Sequence, residues 1–322
     1  MILTLDIGGA NLKYLIAEGE RVVESGSIYL PLWKRFGELE AHLRGIAARA
    51  GDAKVGVTMT GELCDIFRSR AEGVERIAEV VRGVFPGARF LSLDMELSPE
   101  ASPACAGANY VASIYLMERL FGEGILLDIG STTTDVLPFR RGERLYRRGD
   151  LERLLAGQLV YTGMLRTPVC AVSERLPLRG RRVQPAAEVF AIMGDVYLVL
   201  GEVSPEEYTC EPPDGGEVTP EAALRRIARM VCSEPGEVTR EELEEVCRYL
   251  AERQAAGIAE AVRRVRDAHG LEVAYLGGTG TPLGRRASML AGIPWVELRE
   301  HLPASTNLPC LGMAMMLREE GG

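Results

Sequence analysis

Lysine is nearly missing from this chain of 322 residues. It occurs only at positions 13, 34 and 54, so arginine supplies 34 of the 37 basic side chains. Histidine is as scarce, with isolated residues at 42, 269 and 301. The seven cysteines (64, 105, 170, 210, 232, 247 and 310) form no CxxC pair. An odd, scattered set excludes a disulfide framework and gives no zinc spacing, so free thiols in a reducing compartment are expected. A net charge of −9 excludes a nucleic-acid partner held on a broad basic surface. No apolar run reaches the roughly 20 residues of a membrane span. The chain opens directly on an apolar strand pattern, so no secretory leader and a cytoplasmic location are expected. There is no GxxxxGK[ST] phosphate loop, and no glycine fingerprint leading into a helix.

What the chain does have is a pair of similar acidic glycine turns. The first is Asp6-Ile7-Gly8-Gly9-Ala10-Asn11-Leu12-Lys13; the second is Asp128-Ile129-Gly130-Ser131-Thr132-Thr133-Thr134-Asp135. Each sits between two short apolar runs, which reads as strand, tight turn, strand, with the glycines expected to take backbone angles closed to other residues. Such a tip suits a metal–phosphate group. Backbone N–H groups and hydroxyls meet phosphate oxygens, and the aspartate meets a cation directly or through water. Lys13 lies inside the first turn, where a compact ammonium suits a diphosphate. A third element, Val273-Ala274-Tyr275-Leu276-Gly277-Gly278-Thr279-Gly280, carries an apolar strand into another glycine turn.

These three elements, in this order, resemble the superfamily of actin, sugar kinases and the large heat-shock chaperone. The resemblance implies an α/β fold of two ribonuclease-H-like lobes with a cleft between them, each lobe giving one phosphate hairpin. Residues 1–112 are expected to form the first lobe, with a C-terminal helix at 308–322 packing back on it. Residues 113–307 are expected to form the second, with a cleft-covering insertion at about 140–235. The apolar spacing predicts a strand at 22–29, helices at 39–50 and 72–85, a strand at 54–59 and helices at 106–119 and 187–200. Thr219-Pro220-Glu221 and the capping box Thr239/Glu242 each predict a helix start, the second helix running to His269-Gly270. Met313, Met315 and Met316 in the last helix read as core packing rather than a cofactor box.

Further segments narrow the match: Glu62-Leu63-Cys64-Asp65, Arg70-Ala71-Glu72-Gly73, Asn109-Tyr110, Tyr161-Thr162-Gly163-Met164-Leu165-Arg166-Thr167-Pro168, and Gly194-Asp195-Val196-Tyr197-Leu198. With the second hairpin they are similar to an archaeal family related to hydantoinase A and oxoprolinase and tied to tetrahydromethanopterin-linked one-carbon metabolism. In methanogens its members are methanofuran synthases. The resemblance implies a transferase that couples an aminomethylfuran diphosphate to the phenol of γ-glutamyltyramine and releases diphosphate. Its implied cofactor is Mg²⁺ held by Asp6 and Asp128. Gly8, Gly9, Asn11, Lys13, Gly130, Ser131, Thr132, Thr133, Asp135, Gly277 and Gly278 would meet the phosphates. Glu62 or Asp65 would be the base, or would bind the aminomethyl cation. Arg166, then Arg148, would take the glutamyl carboxylate, and Asn109 would touch the ligand or bridge the lobes. Ala10 stands where kinases of the superfamily often carry Ser or Thr, so ATP is not favoured. The alternatives left open are an ATP-dependent small-molecule kinase, a hydantoinase-like enzyme, or a nucleotide-binding regulator without catalysis. No oligomeric state is legible.

Overall fold

The computed structural model describes residues 1–302 and 304–320. The chain divides into two compact units. The first comprises Met1–Leu126, Leu137–Ala156 and the segment from Leu298 onward; the second comprises Leu127–Val136 and Gly157–Glu297. The residue pair 112/113, where a lobe boundary was expected, lies inside the helix Asn109–Phe121 of the first unit.

The first unit carries a six-stranded sheet. Its strands are β1 (Ile2–Ile7), β2 (Asn11–Glu18), β3 (Arg21–Tyr29), β4 (Lys54–Met59), β5 (Arg89–Leu91) and β6 (Leu97–Ser98), in the order β3-β2-β1-β4-β5-β6. The hairpins β1–β2 and β2–β3 are antiparallel, whereas β1–β4 and β4–β5 are parallel. This is the ribonuclease-H-like order. The alternation of β1 decides what each face meets. Leu3, Leu5 and Ile7 pack with the helices Leu39–Ala50 and Arg70–Val84 through Leu39, Leu43, Ile46, Val74, Ile77 and Val81. On the other face, Ile2 packs with Met313 and Met316 of the helix Leu308–Glu319, and the Thr4 hydroxyl donates to the Cys310 carbonyl at 3.0 Å. Met315 is only half-buried.

The second unit repeats the strand order. Its sheet runs β13-β12-β7-β8-β9, with β7 (Glu123–Ile129), β8 (Thr134–Arg140), β9 (Leu159–Val160), β12 (Ala274–Gly278) and β13 (Trp295–Glu297). Strands β7 and β8 enter this unit through residues 127–129 and 134–136. A small hairpin joins β10 (Leu176–Leu178) to β11 (Arg181–Val183), and both of its turn residues, Arg179 and Gly180, have positive φ. The long helix Arg240–His269 starts at the expected capping box: the Thr239 hydroxyl accepts the Glu242 N–H, and the Glu242 carboxylate accepts the Thr239 N–H. It ends at Gly270, whose φ is +64°.

One expected helix is cut short. The spacing predicts helix over 187–200, but only Met193–Val199 is helical. Residues 191 and 192 spend their backbone on another segment instead. Val169 N–H donates to Ala191 O, Met193 N–H donates to Thr167 O, and Pro168 bridges Ile192. The Asp195 carboxylate then takes the Ile192 N–H at 3.0 Å and closes the helix start. Among the described residues no helix is long and apolar enough to cross a membrane.

The packing of the last helix yields a test. A methyl group on Gly312 would lie 1.9 Å from the Ala112 carbonyl of the helix Asn109–Phe121, whereas one on Gly257, in the long helix, meets nothing within 4 Å. Gly312→Ala should lower the thermal midpoint through overpacking worth about 1–3 kcal/mol. Gly257→Ala should raise it by the equivalent of about 0.5–1 kcal/mol. Circular dichroism melts of the two variants separate these signs.

Candidate active site

Both glycine turns close in the same way. Gly8 N–H donates to Asn11 O and Gly130 N–H donates to Thr133 O, each at 2.9 Å, leaving Gly9-Ala10 and Ser131-Thr132 as two-residue tips. None of Gly8, Gly9 and Gly130 has φ in the left-handed region, so the conformational reason expected for these glycines is wrong. Space matters instead at the first turn. A Cβ on Gly8 would sit 2.9 Å from Asn11 O, and one on Gly9 would sit 3.3 Å from the Cys64 thiol. In the third turn Gly278 does take a positive φ, +76°. A Cβ there would meet Ile129 O at 2.4 Å and an Asp128 carboxylate oxygen at 2.6 Å. Gly280 N–H donates to Ile129 O at 3.0 Å. Gly278 therefore lies against the Asp128 end of β7.

In the second unit the turn is held from behind. Met164 N–H donates to Gly130 O at 2.9 Å, and the N–H groups of Leu165 and Arg166 donate to Ser131 O at 3.1 and 2.8 Å. Among the described residues no peptide bond is cis. In a trans peptide the N–H points opposite to the carbonyl. With the carbonyls of 130 and 131 drawn toward 164–166, the N–H groups of Ser131 and Thr132 point away from that segment. Successive N–H groups so oriented form an anion-binding concavity. Gly163 makes the close approach possible, since its Cβ would lie 2.6 Å from Thr132 backbone atoms. Arg166 Nη1 donates to the Thr132 hydroxyl at 3.3 Å, which sets a guanidinium beside the turn. The hydroxyls of Ser131 and Thr132 are 3.5 Å apart, and Asp128, Ser131, Thr132, Thr133 and Asp135 are all half-buried.

The first unit has a related arrangement. Leu32 N–H donates to Gly9 O at 2.8 Å and Leu30 N–H to Ala10 O at 2.9 Å, so two carbonyls of this turn are also bonded, one residue later than in the second turn, with Gly9 matching Ser131. Asp6 is 5% exposed and lies directly opposite Lys13 in the hairpin register. The Lys13 ammonium donates to Thr306 O at 3.3 Å.

Glu62 and Asp65 part company. Asp65 is exposed. Glu62 is 2% exposed and its Oε2 has no hydrogen-bond partner. Burial pushes its carboxyl up to about 7, helped by the nearby Asp150 carboxylate and opposed by backbone hydrogen bonding and by Arg70. Asp150 itself pairs with Arg70 at 3.0 Å and with buried Arg153 at 3.3 Å, and Arg153 lies 4.0 Å over the Tyr110 ring. The site is tight: Gly107 has φ +62°, and a Cβ on Gly73 would sit 2.4 Å from the Glu62 carbonyl. Asn109 uses its side-chain oxygen on the Tyr110 N–H at 2.7 Å, and exposed Arg148 pairs with Asp94 at 2.7 Å. Among the described residues no three His, Cys, Asp or Glu side chains form a metal cluster.

Glu62 makes stability depend on pH with a definite sign. Its folded value lies above the 4.5 of an ordinary glutamate, so the folded state binds the proton more tightly. The stabilising contribution is full below about 4.5 and is lost as pH rises through about 7. Glu62→Gln should therefore match the wild type at pH 4 and exceed it by about 3 kcal/mol at pH 8. Thermal melts across that range would show parallel curves if Glu62 titrated normally.

Comparison with known proteins identifies the family. The family model for hydantoinase/oxoprolinase matches residues 54–320. A protein of Methanocaldococcus jannaschii, (4-{4-[2-(gamma-L-glutamylamino)ethyl]phenoxymethyl}furan-2-yl)methanamine synthase, is 31% identical over 99% of this chain and 98% of its own length. The protein of the same name from Methanococcus vannielii is 33% identical over 61% of this chain and 91% of its own. Among solved structures, the ethanolamine utilization protein EutJ of Carboxydothermus hydrogenoformans aligns with a TM-score of 0.50 at 15% identity, over 98% of this chain and 89% of that one, a likeness of fold alone. The chain belongs to the hydantoinase/oxoprolinase family, and within it to the group of (furan-2-yl)methanamine synthases that supply methanofuran biosynthesis.

Proposed function

We propose that this chain is a transferase that joins an aminomethylfuran diphosphate to the phenol oxygen of γ-glutamyltyramine. The full-length match to the Methanocaldococcus jannaschii synthase supports the reaction, and the pinned turn Gly130–Thr133 supports the diphosphate as its handle. In the step, the furan CH₂–O bond breaks and its electron pair leaves on the diphosphate oxygen. The phenol oxygen forms the new bond to that CH₂, and the phenolic proton passes to a carboxylate. Furan stabilises positive charge on its CH₂, so the chief need is to neutralise the leaving group with fixed donors.

Those donors are the Ser131 and Thr132 N–H groups, the hydroxyls of Ser131, Thr132 and Thr133, and Arg166. The position of Arg166 beside Thr132 favours phosphate over the glutamyl carboxylate as its partner. Asp128 is the carboxylate we assign to Mg²⁺, and Asp6 takes the equivalent place on the other hairpin. A magnesium ion is usually held by one or two carboxylates, substrate phosphates and water rather than by a protein cage, which suits a carboxylate beside a phosphate-binding turn. When bound, the ion supplies positive charge to the leaving diphosphate. Glu62 is the base we assign to the phenol, because it is buried with an open carboxylate oxygen whereas Asp65 is exposed.

Incubation with the two substrates and Mg²⁺ should give one diphosphate per ether, read by mass spectrometry and a coupled diphosphate assay. ATP turnover without ether formation would overturn the reading. Asp128→Asn should lower turnover by about 10²–10³-fold and raise the magnesium concentration needed. The wild-type kcat/KM should climb as pH rises through about 7, since the base must be ionised, and Glu62→Gln should lose that limb.

A further inference from the structure

The segment that pins the diphosphate turn is itself held by a chain of side-chain hydrogen bonds that starts in the core of the second unit. Gln254 lies in the long helix and is 4% exposed. Its Nε2 donates to the Thr162 hydroxyl at 2.7 Å and to Gly163 O at 2.8 Å, while its Oε1 takes the Tyr197 hydroxyl proton at 2.7 Å. Each polar atom of this amide is therefore used. The assignment has a direction. Gly163 O accepts only, so the amide nitrogen must face it, and the amide oxygen then needs a donor. Tyr197 is fully buried, and burial pushes its phenol far above its ordinary range, so it keeps its proton. The Thr162 hydroxyl accepts from Gln254 and lies 3.1 Å from the Thr167 hydroxyl, to which it can donate a hydrogen bond. Thr167 accepts the Gly163 N–H at 2.9 Å and donates back to Gly163 O at 3.2 Å. Thr134, the first residue of β8, donates to Thr162 O at 2.7 Å.

The network converges on Gly163, the residue in closest approach to the Thr132 backbone, and on the segment whose N–H groups orient the turn. We infer that Gln254 and Tyr197 are positioning residues for the diphosphate turn: they set the Thr162–Gly163 segment, and through it the direction of the Ser131 and Thr132 N–H groups. The inference rests on the reading of that turn as the diphosphate site. It concerns no contact between either residue and substrate. A loosened cradle loses ligand affinity because donors must be reoriented on binding.

Calorimetry with inorganic diphosphate and Mg²⁺, paired with steady-state kinetics, tests it. Gln254→Met keeps the volume and removes every bond; Thr162→Val keeps the shape and removes the hydroxyl; Thr162→Ser keeps the hydroxyl. We expect Gln254→Met and Thr162→Val to weaken diphosphate binding at least tenfold and to raise KM for the diphosphate substrate. The KM for the phenol acceptor should stay unchanged, and Thr162→Ser should return to within about twofold of wild type. Tyr197→Phe should fall between. Wild-type affinity for diphosphate in Gln254→Met would overturn the inference. So would equal losses for both substrates, or a Thr162→Ser variant no better than Thr162→Val, which would mark a structural role only. A wild-type protein that bound no diphosphate would overturn the turn's assignment as well.

Discussion

The arrangement of the candidate site depends on one constraint: a tight turn presents its N–H groups to a ligand when its carbonyls face the other way, and bonds to those carbonyls fix that direction. Peptide planarity links the two. In the second unit the N–H groups of Met164, Leu165 and Arg166 occupy the carbonyls of Gly130 and Ser131; in the first, Leu30 and Leu32 occupy those of Ala10 and Gly9. The surrounding sequence serves this. Gly163 has no Cβ because the Thr132 backbone stands where it would go. Gly194 has none because the Tyr208 ring lies at 2.7 Å from that position, and Asp195 closes the following helix by taking the Ile192 N–H and pairing with buried Arg226 at 2.8 Å. Two segments far apart in sequence thus act as one support for the four-residue turn Gly130–Thr133.

Much of the fold was legible because its signals are local. Apolar runs flanking Asp-Ile-Gly mark hairpins, and Thr239 with Glu242 marks a helix start through bonds between near neighbours. Strand β4 and the helix Leu39–Ala50 follow their apolar spacing to the residue. The truncated helix at 187–200 was not legible, since the bonds that stop it come from Thr167 to Val169, more than 20 residues away. The reason expected for the hairpin glycines was wrong: none of them takes a positive φ, and crowding requires a bare Cα at Gly8 but not at Gly130. Conformation and crowding both demand glycine, and only coordinates separate them.

The site was legible to the same degree. The turn residues, Asp128 and Gly278 come together in the second unit as their motifs imply. Glu62 and Asp65 are indistinguishable in sequence, and burial separates them. Arg148 and Asn109 are engaged with Asp94 and the Tyr110 N–H, contacts with no sequence signature. Gln254 did leave a trace. It falls on the buried stripe Leu243, Cys247, Leu250, Ile258, Val262, where an amide is costly unless all its bonds are made. A polar residue on an apolar stripe is the signal that points to such supports.

Hydrogen exchange at the turn is the most direct measurement. The central claim is that the Ser131 and Thr132 N–H groups receive the diphosphate. Adding inorganic diphosphate and Mg²⁺ should slow exchange in a peptide covering residues 128–136, and little elsewhere in the second unit. Unchanged exchange there, at a diphosphate concentration that inhibits the enzyme, would contradict the account.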